Sequence, residues 1–182
     1  MIAARPLVSI GIPAYNRPIG LSRLIEQIQS QTYSNLEIII SDNCSDNTEV
    51  QESALSFAKL DSRIKYIRQP TNIGMFENFR FVLRKANGDF FMWISDDDEI
   101  LPHFIERCIE ILIKNKKIVL CTPICKVLQD GKEAMKYKPD FHTVGLSKME
   151  RIKKIAFYIK KSHGALFGLY RREAIIKFST VT

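Results

Sequence analysis

No apolar run in the 182 residues approaches the roughly 20 that a helix needs to cross a bilayer. The opening MIAARPLVSI lacks the basic-then-apolar order of a signal peptide and enters a strand-like run almost at once. The four cysteines, Cys44, Cys108, Cys121 and Cys125, never stand as C-x-x-C, and the three histidines form no pair. A disulfide framework and a zinc site are therefore not expected, and a reduced, cytoplasmic setting is. There is no G-x-G-x-x-G and no G-x-x-x-x-G-K-[ST], which removes a Rossmann dinucleotide site and a P-loop. The segment DNCSDN begins like a calcium loop but places Cys44, Asn47 and Ser53 where that loop needs an acid or amide, Gly and Glu. Internal repeats and low-complexity linkers are absent too. With 46% apolar and 26% charged residues, the chain suits one domain with a real core, and neither disorder nor a coiled coil.

Charge is abundant but unevenly placed. Residues 1–131 carry 15 Lys and Arg against 16 Asp and Glu, whereas residues 132–182 carry 12 against 4. The whole basic excess sits in the last quarter, where it suits an anionic lipid surface, a phosphorylated substrate, nucleic acid, or simply a solvated face.

Strand-like and helix-like periods alternate through the first part. LVSIGI (7–12), LEIII (36–40), IKYI (64–67) and DFFMWI (89–94) are short apolar runs of strand type. Leu21, Leu24, Ile25 and Ile28 fall at i, i+3, i+4 and i+7, the stripe of an amphipathic helix. Val50, Ala54, Phe57 and Ala58 mark a second helix, with Asp46 expected as its N-cap. A third runs from about Met75 to Ala86 and stops at Asn87-Gly88. Pro102 is expected in the first turn of a fourth, with Ile105, Cys108, Ile109 and Leu112 inward. Because the strands are continuously apolar, the pattern predicts an α/β fold: a mostly parallel sheet with helices on both faces. Beyond Ile118 come the short strands IVLCT and ICKVLQ, a hairpin turn at Asp130-Gly131, a basic helix capped by Ser147 and a last strand, ALFGLY (165–170).

Three polar loops, PAYNRP (13–18), SDNCSD (41–46) and SDDDE (95–99), each follow a strand directly. In an open parallel sheet ligands bind beyond the carboxyl ends of the strands, so all three loops are expected at one edge. Four consecutive acids, Asp96 to Glu99, repel one another unless a cation, solvent or function offsets the cost. On an extended segment Asp96 and Asp98 would share one side, with Asp97 on the other. Two such carboxylates suit Mg²⁺ or Mn²⁺, hard ions that take oxygen ligands. The competing reading is a surface turn whose charge favours the N-terminus of the next helix.

Taken in order, PAYNRP, the Asp42 loop, NIGMFENF (72–79), ANGDFFMWISDDDEILP (86–102) and LFGLYRREAI (166–175) resemble the GT-A glycosyltransferases of the family 2 type, especially bacterial enzymes of surface-polysaccharide synthesis. The resemblance spans nearly the whole chain. It implies a Rossmann-like GT-A domain over 1–182, with a nucleotide-sugar donor half at 1–117 and a partial, acceptor-side β/α half at 118–182. By the same resemblance Pro13, Tyr15 and Arg17 line the nucleotide pocket, and Asp42 hydrogen-bonds the base, usually uracil. Asn72, Gly74 and Asn78 run beneath the nucleotide, Asp96 and Asp97 lie near the ribose and diphosphate, and Asp98 binds the metal, Mn²⁺ or Mg²⁺. The competing readings are Tyr15 as packing, Asn72 and Gly74 as a simple turn, Asn78 as an exposed helix residue and Asp42 as a helix-capping or turn residue.

The implied reaction is metal-dependent, inverting transfer from a nucleotide-diphosphate sugar, a UDP-sugar, to a glycan or lipid-linked acceptor. No nucleic acid partner is implied. The basic segment 148–161 would contact the inner face of the membrane. Two departures stand out. The second loop more often reads D-D-G-S in the family, and here Asn43 is expected to take the left-handed conformation of the Gly. The family's catalytic Asp usually follows the segment resembling LYRRE, but this chain ends at Thr182, so no base is assigned among Asp140, Glu150 and Glu173. The apolar Ile175, Ile176 and Phe178 at that end are expected to await further chain or a partner. A nucleotidyltransferase, for which SIGIPAYNRP lacks the Gly-rich opening, and a non-catalytic nucleotide- or membrane-binding module are the alternatives.

Overall fold

The computed structural model describes residues 5–122, 125–129, 132–137, 142–147, 149–150 and 167–176. Its strands are β1 (Val8–Ala14), β2 (Leu36–Asp42), β3 (Ile64–Arg68), β4 (Phe90–Trp93), β5 (Leu120–Cys121), β6 (Cys125–Gln129), β7 (Lys132–Tyr137) and β8 (Leu169–Arg171). Its helices are α1 (Pro18–Gln29), α2 (Glu49–Leu60), α3 (Met75–Lys85), α4 (Phe104–Lys114) and the short α5 (Arg172–Ile175). Six strands form one sheet in the order β3-β2-β1-β4-β8-β5. The pairs β1–β2, β2–β3 and β1–β4 are parallel, and β8 inserts antiparallel between β4 and β5. The chain leaves β1 toward β2 and β3 on one side and places β4 on the other. Adjacent strands β1 and β4 therefore diverge at a switch point, and a crevice opens at their carboxyl ends.

The expected helix stripes are the buried ones. Leu21, Leu24, Ile25 and Ile28 are fully buried, as are Val50 and Ala54, while Ile105, Cys108, Ile109 and Leu112 are buried on α4. They pack with Val8, Ile10, Ile12, Ile38, Ile40 and Met92 on one face of the sheet. The intervening residues face the other way, where Ile39 and Phe91 meet Val82 and Leu83 of α3, Ala86 just after it and Ile175 of α5. Each fully buried Leu or Ile is worth about 1.5–3 kcal/mol, which makes α1 the most firmly held helix next to the crevice.

Several local expectations are corrected. Thr48, not Asp46, precedes α2, and Asp46 is drawn instead to Asn16. Pro102 lies before α4, whose N-cap position is His103. The last strand begins only at Leu169. Ile175 and Ile176 find packing partners under the sheet, so that part of the end is covered. β6 and β7 pair antiparallel with Gln129 opposite Lys132, whereas Asp130-Gly131 lies outside the described residues. Most of the basic segment 148–161 lies outside them too. At its edge Ser147 and Glu150 form a reciprocal capping box, the Ser147 N–H donating to Glu150 Oε2 at 2.8 Å and the Glu150 N–H to Ser147 Oγ at 3.4 Å.

Candidate functional site

The loops that follow β1 and β2 are stapled together. Asn16 sits in the left-handed region, φ 57°, which an Asn tolerates. Its N–H donates to Ser45 Oγ at 3.0 Å and its Nδ2 to Asp46 Oδ2 at 2.6 Å, while the Asp46 N–H returns a bond to Asn16 Oδ1 at 2.8 Å. Asp42 organises the second loop from below. Its Oδ1 accepts the Ser45 N–H (2.9 Å) and the Ser45 hydroxyl (2.6 Å), and its Oδ2 accepts Tyr66 OH (2.7 Å) and Arg68 Nη1 (3.0 Å). The Asp42 side chain is wholly buried and every lone-pair direction is engaged. Burial, then the bond to Asp42, pushes the Tyr66 hydroxyl up, so it stays a donor. The left-handed residue of this loop is Cys44, φ 61°, not Asn43.

Asn43 takes the place on the cavity wall expected of its neighbour. Its backbone N–H bonds to the Ala14 carbonyl at 2.9 Å. Its Oδ1 accepts the Ile73 N–H and its Nδ2 donates to Asn72 Oδ1, both at 2.9 Å. Asn72 Oδ1 also accepts the Gly74 N–H, and Gly74 turns into α3 at φ 83°, a conformation that favours glycine. Asn78, four residues on, is buried and locks α3 to the end of β2. Its Oδ1 accepts the Ser41 hydroxyl at 2.5 Å and its Nδ2 donates to the Ser41 carbonyl at 2.9 Å.

The acids after β4 form a tight turn rather than an extended segment, with the Asp98 N–H bonded to the Ser95 carbonyl at 3.1 Å. Alternation therefore does not apply. Asp96 and Asp97 both face Arg17, whose Nη1 lies 3.3 Å from Asp96 Oδ1 and 2.7 Å from Asp97 Oδ2. Asp96 is nearly buried and also accepts the Tyr15 N–H at 3.3 Å. Burial pushes its carboxyl up, against the pull of that N–H and of Arg17. At Asp97 burial is outweighed by the Ser95 hydroxyl and Arg17, and the carboxyl moves down. Asp98 turns back, accepting the Ser95 N–H at 3.4 Å, and burial followed by the Asp97 charge pushes it up. The turn presses on α1 at Gly20, where an added Cβ would lie 2.2 Å from the Asp96 carbonyl oxygen.

These loops enclose a cleft of about 1070 Å³. Of the residues expected there, Pro13, Tyr15, Arg17, Asn72, Asn78, Asp96 and Asp97 line it, whereas Asp42, Gly74 and Asp98 do not. Asn43, Phe79, Arg80, Trp93 and Phe167 line it without having been expected. For Asn43 the usable signal was its place in a polar loop that directly follows a strand. For Trp93, inside an apolar strand, there was none. Trp93 Nε1 donates to the Phe79 carbonyl at 2.9 Å, and its ring meets Phe91 (4.8 Å) and Tyr170 (5.7 Å) edge to face. Burial pushes the Tyr170 hydroxyl up to about 12.

Hard oxygen ligands on the cleft wall come from Asp96 and Asp97, and a cation, the Arg17 guanidinium, already rests against both. That donor set fits Mg²⁺ or Mn²⁺, which commonly take one or two carboxylates and complete their shell with water and phosphate oxygens. Among the described residues no group of three His, Cys, Asp or Glu forms an all-protein cage.

Residues 9–178 match the family model described as Glycosyl transferase family 2. An uncharacterised glycosyltransferase of Haemophilus influenzae is 32% identical over 127 residues, 69% of this chain and 42% of its own length. The GalNAc(5)-diNAcBac-PP-undecaprenol beta-1,3-glucosyltransferase of Campylobacter jejuni is 30% identical over 172 residues, 93% of this chain and 53% of its own. The chain thus spans about half, or less, of these curated relatives. Among solved structures, S. aureus TarS 1–349 in complex with UDP superposes with a TM-score of 0.70 at 16% identity, covering 94% of this chain and 48% of that one. The mannosyltransferase PcManGT from Pyrobaculum calidifontis, in complex with GDP-Man and Mn²⁺, gives 0.69 at 14% identity, covering 98% and 49%. At such identity these likenesses show the fold, which is of the GT-A kind.

Proposed function

Because the chain belongs to glycosyltransferase family 2, we propose that its cleft binds a nucleotide-diphosphate sugar, a UDP-sugar, for transfer with inversion to a glycan or lipid-linked acceptor. The observation that carries this reading is the convergence of three post-strand loops on one cleft. It has amides, Asn43 and Asn72, along one wall and the carboxylates Asp96 and Asp97 with Arg17 along another. The amides suit a base edge, and Tyr15 and Phe79 offer apolar surface to its ring. Asp42 acts one layer back and Asn78, nearly buried in the cleft wall, ties α3 to β2; both hold the loops in register. Residues 1–117 form the donor half and 118–182 part of the acceptor half.

Asp97, exposed at the wall, and Asp96 beside it would hold Mn²⁺ or Mg²⁺, which supplies charge neutralisation to a departing diphosphate. Asp98 faces Ser95 rather than the cleft and would act by shaping the turn. The acceptor hydroxyl needs a carboxylate base. Glu150 is engaged in its capping box and Glu173 is exposed on α5, so neither is assigned that role. The names of the relatives support the substrate classes: TarS carries UDP, PcManGT carries GDP-Man and Mn²⁺, and the Campylobacter enzyme is named for an undecaprenol-linked acceptor. With such an acceptor the protein would work at the cytoplasmic face of a membrane, reached through the basic 148–161 segment.

Calorimetric titration of UDP, with and without Mn²⁺, tests the reading. Metal-dependent binding is expected, and UDP-sugar hydrolysis measured in parallel separates a catalyst from a binding module. Failure to bind any nucleoside diphosphate in either condition overturns it.

A further inference from the structure

Arg17 faces the cleft from a fixed stretch of backbone. Its backbone is rigid, since Asn16 before it is tied by three hydrogen bonds to the neighbouring loop and Pro18 after it opens α1. Its side chain is 55% exposed and makes both acid contacts through one nitrogen, Nη1, leaving the rest of the guanidinium fork unused there. The partner it holds more closely, Asp97, is 56% exposed, and exposed ion pairs of this sort are held weakly. A second cation beside this turn, Arg23, is taken up by Glu99 at 3.2 Å and shares a shallow neighbouring pocket with Arg17, Asp96 and Asp97. The acids on the cleft wall are thus neutralised by a cation on a fixed hinge and a loose arm.

We propose that Arg17 is an internal stand-in for the divalent cation, occupying Asp97 until metal and nucleotide arrive together and then turning its guanidinium onto the diphosphate. This rests on the donor-site reading above. A divalent ion on Asp97 would share the carboxylate with a guanidinium 2.7 Å away, and repulsion between cations that close exceeds the hold of an exposed pair. Arg17 must therefore let go. Anchored at its backbone, it stays in the cleft and meets the anionic ligand, for which its fork is well shaped. The consequence is coupling: Arg17 opposes metal binding alone and favours nucleotide once metal is present. By linkage the two ligands strengthen each other by the same factor.

The test measures Mn²⁺ affinity by loss of the free-ion EPR signal, alone and with saturating UDP, in wild type, Arg17→Gln and Arg17→Lys. Thermal melts confirm that all three are folded, as expected for an exposed side chain. Arg17→Gln should bind Mn²⁺ alone at least about threefold more tightly and lose at least about fivefold of the UDP-induced gain. Arg17→Lys, which keeps the charge, should stay nearer wild type. If wild type binds both ligands but Arg17→Gln leaves metal-only affinity unchanged or weaker, the stand-in role is wrong and the donor-site reading survives. If wild type binds neither Mn²⁺ nor UDP, both fall.

Discussion

Replacing Asp42 by Asn changes one oxygen to an amide nitrogen in a fully buried side chain and separates the two roles this residue could have. The new carbonyl can keep both Ser45 donors. The new amide then faces Tyr66 OH and Arg68 Nη1, two donors at 2.7 and 3.0 Å. The Tyr66 hydroxyl can rotate to accept, and Arg68, already bonded to the Ser45 carbonyl through Nη2 at 2.9 Å, can swing outward. The net loss is a charge-assisted bond at a buried acceptor, about 1.5–3 kcal/mol. For a domain of this size each kcal/mol moves Tm by about 2–4 °C, so a fall of about 3–12 °C is expected. A cycle with Tyr66→Phe should return a coupling of about 0.5–3 kcal/mol, because the two side chains are in direct contact. Nucleotide titration well below both melting temperatures should show affinity within about threefold of wild type, roughly 0.7 kcal/mol. An unchanged Tm with a tenfold loss of affinity would show that Asp42 touches the ligand and that its four bonds are not what holds the loop.

Asp97→Asn should weaken UDP binding in Mn²⁺ by at least about tenfold, roughly 1.4 kcal/mol, whereas Asp98→Asn should cost less than about threefold; parallel calorimetry decides between these carboxylates. Gly20→Ala forces a Cβ toward the Asp96 carbonyl, and overpacking of this kind costs about 1–3 kcal/mol, read as a lower denaturation midpoint together with weaker UDP binding. Glu37, at the opposite edge of the sheet, is buried, yet Ser9, the Asn87 N–H and Lys65 outweigh burial and hold its carboxyl at about 2, below the ordinary 4.5. A depressed carboxylate contributes stability that is full above its unfolded pKa and lost as pH falls toward the folded one. Acid unfolding between pH 4.5 and about 2 should therefore be steeper in wild type than in Glu37→Gln. Identical slopes would remove Glu37 from the account.

Much of this fold was legible because burial imposes period on the chain. Leu21, Leu24, Ile25 and Ile28 could face inward only on a helix, and the unbroken apolar runs at 38–40 and 90–94 only on a sheet covered on both sides. What could not be read was geometry set by a single turn. Asp96, Asp97 and Asp98 have the same chemistry, and a backbone bond from Asp98 to Ser95 decides which of them reach the cleft. Asp42 and Asn43 are adjacent polar residues, and only the end of β2 determines that the first points into the protein and the second onto the wall. The antiparallel insertion of β8 joins residues about eighty apart on the β4 side, Phe90 with Arg171, and about fifty apart on the β5 side, Leu120 with Tyr170, pairings no local pattern encodes. Thr48 in place of Asp46 before α2 is a lesser case, since the carboxylate found a partner in Asn16.

Trp93 has a practical consequence. The chain contains one tryptophan, and it stands in the wall of the cleft between Phe91 and Tyr170. Indole emission from this protein therefore comes from a single known position, free of the averaging that obscures multi-tryptophan spectra. Its ring is held by Phe91 and Tyr170 edges and by the bond from Nε1 to the Phe79 carbonyl, so the fluorophore cannot easily turn away from an arriving ligand. A nucleotide in the cleft would alter the solvent that quenches or shifts that emission, and Phe79 ties the same ring to α3. The protein thus carries its own optical probe, able to follow filling of the cleft in real time without label or substrate turnover.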